Sequence, residues 1–277
     1  MNLTSLNSLE SWSYSLPNTE KMPVLFLGHG SPMNAIEDNQ FVRGFRDIAK
    51  TLPKPKAILC ISAHWYIHGT KILSAAMPKT IHDFGGFPEK LFQVQYPAKG
   101  SPELAKEVNN LLGAKASLSD DWGLDHGAWS VLVHLYPKAD IPVIQMSIDY
   151  TKSASYHFEL AKLLRKLRDK GILIIGSGNI IHNLGMIDWP NIDKENHGYD
   201  WAREMRDKIN QFILDRNFQS LIDYQKLGKA FQNGIPTPDH YLPLIYTLGL
   251  SKIKDEFQLF NDKMVAGSLS MTSLKIG

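Results

Sequence analysis

The chain has 277 residues, 43% hydrophobic and 21% charged, which is enough to bury a large core in one domain. Its 30 basic and 28 acidic side chains leave a net charge of +2, so no bulk attraction to nucleic acid is implied, and no run is apolar for long enough to span a bilayer. A single cysteine, Cys60, excludes a disulfide framework and a cysteine-rich zinc site.

Residues 1–20 carry Glu10, Glu20, serines and asparagines without an apolar stretch, so they do not read as an export signal. The segment 1–21 is expected to be a surface extension of a domain that starts at Met22. The short apolar run Pro23–Leu27 ends in Gly28 and has strand character, and Phe41–Leu52 follows with helical spacing. Ala57–Ser62, after the breaker-rich Pro53-Lys54-Pro55, reads as a second strand. Cys60 lies within it as a small core residue rather than a nucleophile, and a lone thiol suits a reducing cytoplasm. Residues 78–100, rich in Pro, Gly and Phe, form a long loop. Helical patterns recur at Pro102–Leu112, Trp129–Tyr136 and Ser153–Leu167, with strands at Pro142–Ile148 and Ile172–Ile175. The basic stretch Lys162–Lys170 is interleaved with Leu163, Leu164 and Leu167, so its charges are expected on the solvated face of a helix. Tyr199–Leu214, Leu221–Phe231 and Asp239–Leu248 are further helices, and Met264–Leu274 alternates as a late antiparallel strand. Strands alternating with helices predict an α/β fold: one domain with a mixed, largely parallel central sheet flanked by helices.

Four of the ten histidines fall at telling places. His29 follows the first strand, in Gly28-His29-Gly30-Ser31-Pro32; His64 follows the second, in Ser62-Ala63-His64-Trp65; His182 follows the fourth, in Gly178-Asn179-Ile180-Ile181-His182. Segments leaving different strands of a parallel sheet emerge at one carboxyl edge, where ligand sites form, so these three can meet in space. Gly176-Ser177-Gly178-Asn179 reads as the turn that delivers His182. His240 lies in Pro236-Thr237-Pro238-Asp239-His240, where Thr237 as cap and Pro238 at the first position would put it in the first turn of a helix. Neutral imidazoles in such a group suit zinc, iron(II) and other divalent metals of intermediate softness. No local metalloenzyme signature such as HExxH is present. In Trp122-Gly123-Leu124-Asp125-His126-Gly127-Ala128-Trp129, His126 can hydrogen-bond a ligand with Asp125 orienting it, or the segment can simply cap a helix. His68, His82, His134, His157 and His197 are assigned ordinary packing or surface roles.

Six ordered segments carry a resemblance: LGHGSP at 27–32, SAHW at 62–65, HDFGGFP at 82–88, GLDHGAW at 123–129, GSGNIIHNL at 176–184 and TPDHYLPL at 237–244. With them the chain, from Met22 to Ser273, resembles the class III extradiol ring-cleavage dioxygenases, the LigB-like superfamily, within the group that acts on DOPA at the 4,5 position. The resemblance implies a domain over 22–277 with its metal site at the carboxyl edge of the strands. It implies that His29, His64 and His240 are metal ligands, that His182 is the acid/base close enough to ligate the ion, and that His126 touches substrate or oxygen. His240 stands where better-known members of the superfamily have a glutamate ligand, so the set here is all nitrogen. Fe(II) is the cofactor implied for activity, with Zn(II) expected in purified protein. The implied partners are a catechol and O2, which yield a semialdehyde; no nucleic acid or membrane is expected, and the assembly is a monomer or a homodimer in the cytoplasm. No GxGxxG fingerprint for a dinucleotide is present, in keeping with a reaction whose electrons all come from the substrate. Two alternatives stand beside this one: a zinc hydrolase using Asp125 or His182 as base, and a non-catalytic binding protein like the Memo group of the same superfamily.

Overall fold

A computed structural model of the protein describes residues 20–277. The extension expected over 1–21 therefore lies, as far as residue 19, outside the described residues.

Strand β1 (Val24–Gly28) leads through a short 3-10 turn to helix α1 (Gln40–Lys50), whose cap Asn39 accepts from the Phe41 and Val42 amides. A long strand β2 (Ala57–Ile67) and the shorter β3 (Thr70–Leu73) follow. The single turn α2 (Glu89–Phe92) interrupts the loop before α3 (Pro102–Leu112), which has Ser101 as cap and Pro102 at its start. Next come β4 (Ala116–Ser119), α4 (His126–Leu135), β5 (Val143–Asp149), α5 (Ala154–Lys162) and β6 (Ile172–Gly178). The chain then turns helical as expected, through α6 (Asp200–Leu214), α7 (Phe218–Ile222), α8 (Lys229–Gly234) and α9 (Leu242–Gly249). It closes with β7 (Phe257–Phe260), β8 (Met264–Val265), β9 (Leu269–Ser270) and β10 (Ser273–Ile276).

Eight strands form one sheet in the order β4-β3-β5-β2-β6-β1-β10-β7, while β8 and β9 make a separate hairpin. The four central strands β5, β2, β6 and β1 are parallel, and they are buried on both faces, which explains their unbroken apolar runs. Alternate residues of each strand feed two cores. Val24, Phe26, Leu59 and Ile174 pack with α3, α5, α6 and α9, whereas Leu25, Leu27, Cys60 and Ile175 pack with α1 and α4. The fold is thus the single α/β domain anticipated, its mostly parallel sheet covered by helices on both faces.

Several local expectations change. The late strand is three short ones, because Ala266 and Gly267 take positive φ and turn β8 into β9 before β10 pairs antiparallel with β1. The helix read over Leu221–Phe231 is broken by a 3-10 turn and by Gly228 at φ +91°. Helix α5 stops at Lys162, and Arg165–Lys170 continue as a 3-10 turn. Arg168 in that turn is fully buried, not on a solvated face. It donates to the carbonyls of Met22 (2.9 Å), Leu250 (2.9 Å) and Ile276 (3.2 Å) and to Asp255 Oδ2 (2.6 Å), so one guanidinium ties together the first strand's entry, the end of α9 and the last strand. Asp255 also accepts from the Lys252 amide and pairs with Lys21. Burial alone would raise its carboxyl, but the bonds from Arg168 and Lys21 hold it down at about 2.

Two outcomes follow for stability. Arg168→Ala leaves Asp255 buried without its main partner and should lower the unfolding free energy by about 3–5 kcal/mol, read from urea titrations. His157 is buried between the Tyr246 hydroxyl (2.8 Å) and the Asp149 carbonyl (3.2 Å), and burial lowers its pKa to about 4. The unfolded chain therefore takes up this proton first as pH falls. Stability from His157 is complete above the ordinary pKa of about 6.5 and is lost progressively down to about 4. The urea midpoint of the wild type should fall more steeply over that window than that of His157→Phe.

Candidate metal centre

Three loops, one strand and the start of one helix converge at the carboxyl edge of the central strands. His29 is the first residue after β1, and its amide donates to the Gly178 carbonyl at the end of β6 (3.1 Å). His64 lies inside β2 rather than after it: the strand slips register between Ile61 and Tyr66 and then resumes pairing with β5. His182 comes four residues beyond β6, held by its amide bond to Gly234 O (2.8 Å) and by a bridge to Leu269. His240 sits in the turn before α9, which begins at Leu242; Tyr241, not Thr237, is the cap residue. His126 is the first residue of α4.

All five rings form one cluster. His29 lies with its ring centroid 5.1 Å from that of His64, 5.6 Å from His126 and 5.3 Å from His240. His64 is 3.8 Å from His126 and 5.0 Å from His240, and His182 stacks on His240 at 3.6 Å and 6°. Ring nitrogens of His29, His64 and His126 all lie within 4.8 Å of one another. Each histidine picked out from sequence for a site role is therefore in this cluster, and none of the five assigned ordinary roles is. His82 is nearby, but its Nε2 is engaged by the Val94 carbonyl (3.0 Å).

Small residues of β6 and α4 permit the convergence. Gly176, Ser177 and Gly178 are strand residues of β6, not the turn read from sequence. A Cβ on Gly178 would sit 2.2 Å from the His240 carbonyl oxygen, so a glycine is needed for that turn to lie against the strand. The Asn179 amide then donates to the same carbonyl (3.0 Å). A Cβ on Gly127 would meet Ser62 Oγ at 2.4 Å and the His64 ring at 2.9 Å. Asp125 caps α4 and is fully buried. It accepts from Ser62 Oγ (2.6 Å), Gln145 Nε2 (2.8 Å), Trp122 Nε1 (3.1 Å) and the Ala128 amide (3.2 Å). Burial, then the charge of Asp83, raises its carboxyl despite these bonds. Asp125 thus anchors the helix start, the capping alternative of the sequence reading, while Asp83 Oδ1 lies 3.0 Å from Nδ1 of the His126 ring.

The hydrogen bonds assign tautomers. Ser177 Oγ donates to the Gly127 carbonyl (2.5 Å), so it must accept from His29 Nδ1 (2.9 Å), which leaves the lone pair of His29 on Nε2. His240 Nδ1 is bonded to Asp239 Oδ2; a carboxylate can only accept, so that ring carries its proton on Nδ1 and its lone pair on Nε2. His64 Nδ1 faces Asp83 Oδ2 at 3.3 Å without hydrogen-bond geometry, and His64 Nε2 lies 3.1 Å from His29 Nε2, to which it can donate. Ring nitrogens of neutral imidazoles brought this close from separate elements make a donor set that fits a divalent metal. His126 Nδ1 is 3.0 Å from Asp83 Oδ1 but off the line of a hydrogen bond, and is left buried and unsatisfied. Burial, then the neighbouring imidazoles, pushes His29 and His64 well below the ordinary pKa and His182 to about 3, so these three rings are neutral and ligand-competent at pH 7. Asp83, Ser177 and Asp239 escaped the sequence reading, although Asp83 and Asp239 each directly adjoin a histidine that it discussed.

The family described as the catalytic LigB subunit of aromatic ring-opening dioxygenase matches residues 23–267. The chain is 42% identical over 268 residues to 4,5-DOPA dioxygenase extradiol of Escherichia coli (strain K12), covering 94% of this chain and 96% of that one. It is 34% identical over 258 residues to the protein of the same name in Beta vulgaris, with 90% and 94% covered. A crystal structure of an uncharacterized protein from Escherichia coli K12 superposes with a TM-score of 0.81 at 38% identity, covering 93% of this chain and 100% of that one.

Gly178→Ala tests the packing on which the convergence depends. It should cost about 1–3 kcal/mol in urea unfolding, because the opposing atom is backbone and cannot rotate away.

Proposed function

The chain belongs to the family of catalytic LigB subunits of aromatic ring-opening dioxygenases and is an enzyme of that class; on that premise we propose that it opens a catechol of the DOPA type with dioxygen to give a semialdehyde. The substrate class follows the names of its relatives in Escherichia coli and Beta vulgaris. We assign residues 22–277 to one catalytic domain. His29, His64 and His240 are the proposed ligands, their Nδ1 atoms facing Ser177, Asp83 and Asp239. The observation that carries the reading is the convergence of imidazoles from separate elements, with ring nitrogens of His29, His64 and His126 within 4.8 Å of one another and the His240 ring 5.3 Å from His29 and 5.0 Å from His64.

When bound, Fe(II) supplies the path by which electrons pass from a diphenolate to dioxygen; zinc has no second oxidation state and cannot supply it. The protein's part is proton handling and placement. Neither ring nitrogen of His182 is hydrogen-bonded to another described residue, and its low pKa keeps it unprotonated before substrate arrives. An imidazole nitrogen of His182 can therefore accept a phenolic proton and return it later in the reaction. His182 is stacked on His240, which keeps that nitrogen beside the proposed ligand set and within reach of the ion itself. His126, 3.8 Å ring to ring from His64, is the residue assigned here to bond substrate or oxygen. Phe84, whose ring is 5.4 Å from that of His126, and Phe87 beside it offer an apolar wall for an aromatic ring.

A second ligand set has its own support: ring nitrogens of His29, His64 and His126 all lie within 4.8 Å of one another. Metal analysis of His240→Ala and His126→Ala separates the two. The first variant should lose most bound ion and the second retain it; the reverse result assigns the third ligand to His126.

Two further outcomes test the reaction. Protein loaded anaerobically with iron should consume DOPA and O2 with a change in visible absorbance, whereas the zinc-loaded form should not. Ring opening by zinc-loaded, iron-free protein would overturn the proposal. His182→Ala should lower kcat by about 10²–10⁴-fold while the metal content stays near that of the wild type.

A further inference from the structure

We propose that Asp83 and Asp239 supply, from behind the imidazole cluster, the negative charge its ligands lack, Asp83 acting through His64 and Asp239 through His240. This rests on the metal reading above. A divalent ion held by neutral imidazoles keeps its full double charge in a largely buried site, an unfavourable arrangement unless anions lie close by. The two carboxylates carry a matching charge and are placed one shell out. Asp83 Oδ2 is 3.3 Å from His64 Nδ1, and its Oδ1 takes the His126 amide (2.9 Å) and lies 3.0 Å from His126 Nδ1. Asp239 Oδ2 is bonded to His240 Nδ1. His29 differs, since its Nδ1 partner is the uncharged Ser177 hydroxyl.

Both carboxylates are mostly shielded from water, with side chains 14% and 20% exposed, and neither has a lysine or arginine partner among the described residues. Two other shielded carboxylates are met by permanent cations: Asp255 by Arg168 and Lys21, and Glu107 by Lys170. Asp83 and Asp239 instead have only histidines as possible cationic partners. An ion bound at Nε2 of His64 and His240 would polarise the Nδ1–H bonds toward the carboxylates. It would strengthen both contacts and raise the basicity of both ligands. Asp83 and Asp239 are positioning residues in this scheme, because they act through a histidine and touch neither ion nor substrate.

The test is Zn(II) affinity, measured by competition with a chromophoric chelator on the full chain, with no turnover required. Asp83→Asn and Asp239→Asn should each weaken Zn(II) binding about 10–100-fold, and together more, while the urea midpoint of the metal-free protein barely moves. In a His64→Ala background, Asp83→Asn should cause no further loss, because the residue it acts through is gone. A purely structural role for Asp83 predicts the same loss in both backgrounds and would overturn the proposal, as would unchanged affinity in both single variants. The two carboxylates are separate tests, so a variant that fails to fold at one leaves the other decisive. Wild-type protein that binds no Zn(II) would defeat the metal reading itself. Tight wild-type binding with unaffected variants would defeat only the outer-shell assignment.

Discussion

The organisation of this protein turns on the close approach of imidazoles carried by separate elements to one edge of the sheet. His29 Nε2 and His64 Nε2 meet at 3.1 Å, with His29 Nδ1 bonded to Ser177 Oγ and His64 Nδ1 turned toward Asp83. The surrounding structure imposes that approach: each ring is held by its own strand, helix or loop. The energy to hold the rings there comes from the two hydrophobic cores on either side of the sheet, which position β1, β2 and β6 regardless of what the histidines prefer. Burial also keeps the rings uncharged at neutral pH, and uncharged imidazole is the form that binds metal.

Strand β6 links the cores to the site. Its first half, Ile172–Ile175, is apolar on both faces, and its second half, Gly176–Gly178, is small. The change of residue size marks the change of task. Large side chains support the helices, and then the absence of side chains lets the turn carrying His240 lie directly on the strand while Ser177 reaches His29. Asp125 plays a comparable part on the other face, where one buried carboxylate caps α4 and ties it to β2 through Ser62, so that His126 and His64 are held side by side. Membership of a ring-opening dioxygenase family accords with a site of this construction.

Much of the site was readable in the chain because it follows from periodicity. His29 and His182 stand just past apolar runs that can only be central parallel strands, and such runs end at one edge. His64 was reached by the same argument, though on a wrong strand end: β2 continues through a register slip that no local pattern announces. The helix assigned across Lys162–Lys170 failed for a similar reason. Leucine spacing is shared by an α-helix and by a 3-10 continuation, and the burial of Arg168 depends on Asp255, 87 residues away.

What the sequence determined alone was the class of fold, the edge at which a site would form and the residue type that would build it, since apolar runs, glycine breaks and histidines after strands are local patterns. What only the tertiary structure decided was which nitrogen of each ring faces inward and which groups stand behind it. Those facts depend on Ser177, Asp83 and Asp239 meeting rings brought in by other elements. A tautomer is set by a hydrogen bond at a distance of a few ångströms, and no spacing along a chain encodes that until the sheet has folded.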